Sequence, residues 1–278
     1  MTDPLVSTDW LAERLEAPDI RVVDCSWFMP AEGRDPKAEH AAAHIPGAVF
    51  FDIEEVSDSD TDLPHMLPSP TKFSARVRKL GLGDGVRIVV YDNNRFYASA
   101  RVWWMFRVMG HEDIAVLDGG LAKWRAEGRP VDDQPVRPTE RHFTPRLNNF
   151  LVRDLEQMRA NLTSRREQVV DTRSAARFTG SVAEPRPGLR AGHIPGSRNL
   201  PASDLVSADG TLKDTQALTA LFAAAGVDLE QQITTSCGSG VSAAVASLAL
   251  ARLGRSDVAL YDGSWTEWGS RPDTPVAR

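Results

Sequence analysis

The chain has 278 residues, of which 42% are hydrophobic and 25% charged, and carries a formal net charge of −6. These values fit a soluble globular protein of one large or two medium domains, and they offer no electrostatic footprint for nucleic acid or a membrane surface. With no basic-then-apolar leader and no apolar run of membrane-spanning length, a cytoplasmic location with neither nucleic-acid nor membrane partners is expected; two cysteines, Cys25 and Cys237, are too few for a disulfide framework or a zinc site.

In chain order, Ser7 or Thr8 can cap a short helix carrying Trp10, Leu11 and Leu15, which Pro18 ends. Ile20–Asp24 reads as a strand, and a charged, alanine-rich loop leads to a His44-Ile45-Pro46-Gly47 turn. A loop over 58–70 holds His65-Met66-Leu67-Pro68. A helix near 72–80 precedes the strongest strand of this half, 86–92, and an aromatic-rich helix follows over 98–109. Asp118-Gly119-Gly120-Leu121 and Trp124 close the half.

These markers return. Val22-Val23-Asp24 recurs as Val169-Val170-Asp171, the His-Ile-Pro-Gly turn recurs at His193, and the Asp-Gly turn with its tryptophan recurs at Asp262, Gly263 and Trp268. Spacings of 144 to 149 residues that drift along the chain indicate a duplicated domain with small loop differences. Alternating strands and helices make each copy an α/β domain with a mainly parallel sheet flanked by helices. The expected division is 1–134, a proline-bearing polar linker over 135–149, and 150–278.

Near the end of the second copy, the short strand Ile233–Ser236 runs into Cys237-Gly238-Ser239-Gly240-Val241-Ser242 and then an alanine- and leucine-rich helix. Glycines on such a strand-to-helix loop allow successive N–H groups to converge, and the positive end of the helix adds to the same field. If the anion held there is the cysteine's own sulfur, the loop favours the nucleophilic thiolate. The corresponding loop of the first copy has no thiol; strand register puts Asp92 opposite Cys237, and helix register puts Asn93 there.

The paired His-Ile-Pro-Gly turns, Arg101–Arg107, Asp118–Leu121 and Cys237–Ser242 together resemble the two-domain rhodanese-type sulfurtransferases over essentially the whole chain. The resemblance implies tandem rhodanese-like domains, the first lacking the cysteine. It also implies transfer of a sulfane sulfur from a small-molecule donor, through a Cys237 persulfide, to cyanide or to a thiol acceptor such as thioredoxin or glutathione. No metal or organic cofactor is implied. Thiosulfate enzymes of the family carry arginine and lysine directly after the cysteine, where this chain has Gly238 and Ser239. The loop is instead similar to that of 3-mercaptopyruvate sulfurtransferases, with Ser242 where threonine is usual.

That resemblance assigns Arg177 and Arg186 to the donor's carboxylate, with Arg190 a weaker candidate nearby, and Gly238, Gly240, Val241 and Ser242 to the loop that receives the sulfur. It also gives His65, in front of Met-Leu-Pro, a place facing the cysteine. Ser239, His65 and Glu54 then form a relay, Glu54 standing where aspartate is usual. Rival classes are a thiosulfate:cyanide sulfurtransferase, a non-catalytic rhodanese-like regulatory module, and a cysteine phosphatase. The last lacks its arginine, because Ala243 stands six residues after Cys237.

Overall fold

The computed structural model describes residues 3–278; the first two residues of the predicted first domain lie outside it. Among the described residues there are ten strands: β1 Leu5–Val6, β2 Ile20–Asp24, β3 Val49–Phe50, β4 Arg87–Tyr91, β5 Ile114–Leu117, β6 Val152–Arg153, β7 Glu167–Asp171, β8 Arg198–Asn199, β9 Gln232–Ser236 and β10 Ala259–Tyr261. They form two five-stranded sheets, ordered β1-β5-β4-β2-β3 and β6-β10-β9-β7-β8. Every pairing is parallel. The two sheets share one strand order, as a duplication requires. Among the described residues no helix is long and apolar enough to cross a membrane.

Chain contacts divide the protein into two compact units, and the division is not a single cut. The first comprises the chain up to Asp58, Pro68–Asn148 and Ser207–Leu212; the second comprises Ser59–Leu67, Asn149–Val206 and Lys213–Arg278. Each unit therefore contains a short segment from the other half of the sequence.

The cores follow the periodicity. In the first unit Val22, Val89, Ala115 and Leu117 from the strands pack with Leu11, Ile45, Leu121 and Trp124. In the second, Val169, Ile194, Tyr261, Trp265 and Trp268 pack with Leu155 and Met158. The repeated tryptophans are anchored alike, Trp124 donating to Pro130 O (2.7 Å) and Trp268 to Pro275 O (2.8 Å). The first helix, Thr8–Ala12, is capped by Ser7, whose hydroxyl accepts from Trp10 N. His44 and His193 hydrogen-bond through Nδ1 to the carbonyls of His40 and Phe178, outside their turns.

The polar stretch after 135 is no free tether. Asp84 N donates to His142 O (2.8 Å), Ser74 to Phe143 O (3.0 Å), Arg146 N to Met109 O (2.8 Å) and Asn148 N to Val108 O (2.7 Å). Phe143 is buried edge-on against Phe73 and Phe106. Gly83 permits the approach, since a Cβ there would collide with the His142 carbonyl.

Strand register settles which residue matches Cys237. Asp24 pairs with Tyr91, and Asp171 pairs with Ser236, so the next residues, Asp92 and Cys237, correspond. The buried Asp92 carboxylate accepts from the N–H groups of Asn94, Phe96, Ala98 and Ser99 and from the Ser99 hydroxyl, all at 2.8–3.1 Å. Burial pushes its carboxyl up, and these bonds oppose the rise. The loop of the first unit is thus an anion cradle filled by its own side chain. Removing that side chain strands several buried donors, at roughly 1–3 kcal/mol for each left unsatisfied. Asp92→Ala is therefore expected to lower unfolding free energy by about 3 kcal/mol in urea denaturation, and Asp92→Asn, which keeps an acceptor, by less.

Candidate active site

In the second unit, Cys237 follows β9 and is buried with the loop that leads into helix Ala243–Arg252. A turn from the end of β10 holds it at both ends of its peptide unit. Cys237 N donates to Ser264 Oγ (3.2 Å), Ser264 Oγ donates to Tyr261 O (2.8 Å), and Trp265 N donates to Cys237 O (2.9 Å). Thr266 then donates to Gly238 O from both its N–H (2.8 Å) and its hydroxyl (2.6 Å).

Ser264 takes a left-handed backbone, φ +49°, where its counterpart Gly120 has φ +56°. A non-glycine residue held there costs on the order of 1–3 kcal/mol. In return, its hydroxyl fixes the N–H of Cys237. Gly240 also lies at positive φ (+75°), which lets the loop curl.

The N–H groups of Gly238, Ser239, Val241 and Ser242 engage no acceptor among the described residues. These belong to the loop whose counterpart in the first unit wraps Asp92. The Ser242 hydroxyl lies 3.2 Å from that of Thr172, which ties the loop's far end to the residue after β7.

The segment Ser59–Leu67 brings His65 to this loop. His65 is buried, has φ +60°, and places Nδ1 3.2 Å from Ser239 Oγ. Glu54 belongs to the first unit, where its Oε1 accepts from Trp27 Nε1 at 2.8 Å.

Arg177, from the short helix Ala175–Phe178, reaches over the loop: a Cβ on Gly238 would lie 3.0 Å from Arg177 Nη2. The guanidinium is held by Glu184, through Nε (3.2 Å) and Nη2 (2.5 Å). The other oxygen of Glu184 accepts from Arg173 Nη1 at 2.7 Å, and Arg173 is fully buried, tied also to Asp171 (2.6 Å) and Gly192 O (2.8 Å). Two carboxylates thus balance two guanidiniums, and Nη1 of Arg177 has no protein partner among the described residues. Arg186 is partly exposed and makes no hydrogen bond or ion pair among the described residues. Arg190 donates to the carbonyls of Gly269, Thr274 and Trp268, which makes it part of the scaffold.

Of the residues predicted from sequence, the structure brings together Cys237, Gly238, Ser239, Gly240, Val241, Ser242, His65 and Arg177. Glu184, Thr172 and Ser264 were not anticipated. The repeated Asp-Gly turn marks the position of Ser264 without revealing its bond to the cysteine, and in sequence Glu184 is only an acidic residue before a proline. Cys25 is fully buried, and burial raises its thiol well above the ordinary range.

A parallel sheet with a lone cysteine in an N–H-lined loop, built twice and armed once, defines a class. The Rhodanese-like domain profile matches residues 7–127 and 154–271, and the chain belongs to that family. More particularly, it is 44% identical to the 3-mercaptopyruvate sulfurtransferase of Escherichia coli K12, over 98% of this chain and 96% of that one. It is equally 44% identical to the thiosulfate sulfurtransferase of Mus musculus, over 99% and 95% of the two chains. The crystal structure of SseA from Escherichia coli, described as a 3-mercaptopyruvate sulfotransferase of the rhodanese fold, superposes with a TM-score of 0.87 at 41% identity. That match covers 95% of this chain and 99% of the other.

Breaking a buried ion pair costs about 3–5 kcal/mol when a charge is left without its partner. Arg173 retains Asp171, so Glu184→Ala is expected to cost about 3 kcal/mol, read as a lower midpoint in chemical denaturation.

Proposed function

We propose that the protein is a sulfurtransferase that takes the sulfur of 3-mercaptopyruvate onto Cys237 and passes it to a thiol or cyanide. The observation that carries this reading is the Arg177 guanidinium above Gly238, beside a loop with no cation of its own. A Cβ at position 238 would lie 3.0 Å from that guanidinium, so the glycine leaves Arg177 room to lie close over the loop. With a neutral loop, the donor carboxylate is assigned to Arg177, through the Nη1 that Glu184 leaves unpartnered, and to Arg186.

In the proposed reaction the Cys237 thiolate attacks the donor sulfur. The carbon–sulfur bond breaks, its electron pair passes to carbon, and the enolate of pyruvate leaves. A proton completes pyruvate, delivered through Ser239 from His65, whose Nδ1 lies 3.2 Å from the Ser239 hydroxyl. The outer sulfur of the persulfide rests against the N–H groups of Gly238, Ser239, Val241 and Ser242, as an oxyanion would. An acceptor thiolate then attacks the outer sulfur, forming its own persulfide and restoring the Cys237 thiolate; cyanide would leave as thiocyanate. Thioredoxin or glutathione in a reducing cytoplasm would supply such thiols.

Steady-state transfer to cyanide with 3-mercaptopyruvate and with thiosulfate, measured in parallel, tests the reading. A kcat/KM at least tenfold higher with mercaptopyruvate is expected, and a preference for thiosulfate would refute the donor assignment. Cys237→Ser is expected to fold normally and transfer no sulfur. For Arg186→Ala, the KM for mercaptopyruvate should rise about tenfold with kcat little changed, as loss of a charged hydrogen bond predicts. An unchanged KM would remove Arg186 from the site.

A further inference from the structure

The turn that grips Cys237 also grips the segment that carries His65. Asp262, buried at the end of β10, accepts through Oδ2 from the N–H of Leu67 at 2.7 Å. Leu67 lies two residues beyond His65 in a segment too short to shift at one end without the other. Ser264 and Trp265, two and three residues after Asp262, make the bonds to the N–H and carbonyl of Cys237. One turn therefore sets both the place of the sulfur and the place of the histidine.

The first unit repeats the arrangement with no histidine to deliver. There Asp118 accepts through Oδ1 from the N–H of Leu212 at 2.8 Å, at the end of the segment Ser207–Leu212. This copy shows the aspartate contact as a general fastening of these segments, and its loop holds no cysteine.

We propose that Asp262 is a positioning residue for sulfur transfer: by holding Leu67 it presses His65 against Ser239, and proton delivery to the departing enolate depends on that contact. The backbone strain at His65 supports the inference. A histidine at φ +60° lies in a sparsely populated region and stays there only where its surroundings impose it. Buried histidine and fastened backbone are two ends of one constraint. The proposal rests on the mercaptopyruvate reading above, and its test separates the two.

The variants to compare are Asp262→Ala, His65→Ala, the double variant and Asp118→Ala, assayed with 3-mercaptopyruvate and cyanide, together with hydrogen exchange of the peptide spanning Leu67. Asp262→Ala should lower kcat about tenfold with little change in KM, and His65→Ala should do likewise. The double variant should be no slower than the slower single one, because both remove the same proton path. Asp118→Ala should keep kcat within twofold of the parent. Exchange at Leu67 should accelerate at least tenfold in Asp262→Ala. If Asp262→Ala folds poorly by circular dichroism, Asp262→Asn keeps an acceptor oxygen and should restore most of the rate and the protection. Parental kcat in Asp262→Ala, multiplying losses in the double variant, or unchanged exchange at Leu67 would each overturn the proposal. A parent protein inactive with mercaptopyruvate overturns the underlying reading instead, a result visible before any variant is compared.

Discussion

The backbone N–H groups that converge on one point between a parallel strand and the helix after it are the constraint on which this protein depends. Amide donors buried away from water must find an acceptor, and a loop that points several of them inward calls for negative charge. The first unit answers with the carboxylate of Asp92, which takes five hydrogen bonds from the loop and the helix start. In the second unit the same register position is Cys237, and the N–H groups of Gly238, Ser239, Val241 and Ser242 engage no acceptor among the described residues. Gene duplication has thus left two solutions to one electrostatic problem, one inert and one reactive.

Around that loop the scaffold works through tension between strain and hydrogen bonding. Ser264 accepts a left-handed backbone that glycine would adopt freely, and its hydroxyl restrains the nucleophile's own N–H. Glu184, buried between Arg173 and Arg177, shares with Asp171 the neutralisation of the two guanidiniums and leaves Nη1 of Arg177 without a protein partner among the described residues. Each device is local, and each loses its point without the cysteine loop beside it.

Much of this architecture was legible in the sequence because periodicity and repeats are local signals. Ile20–Asp24 and the stretch ending at Ser236 announced their strands through β-branched residues, and the repeated His-Ile-Pro-Gly and Asp-Gly turns announced the duplication. The choice between Asp92 and Asn93 was not legible, because the first loop is one residue longer from strand to helix and only the hydrogen-bonded register decides. The stretch after 135 read as a tether because its prolines and charges are visible in sequence, whereas the burial of Phe143 depends on Phe73 and Phe106, far along the chain. Glu184 escaped notice for a similar reason. A carboxylate between two arginines is a fact of three dimensions, while in sequence it is an acidic residue before a proline.

The exchange of segments changes what the word domain means for this chain. Ser59–Leu67 lies early in the sequence yet belongs to the compact body that houses Cys237, and Ser207–Leu212 makes the reverse journey. A cleavage anywhere in 135–149 would yield two fragments, each missing a piece of its own folded body, and the fragment bearing the cysteine would be without His65. Through these two short segments the folded bodies no longer coincide with the repeats written in the sequence.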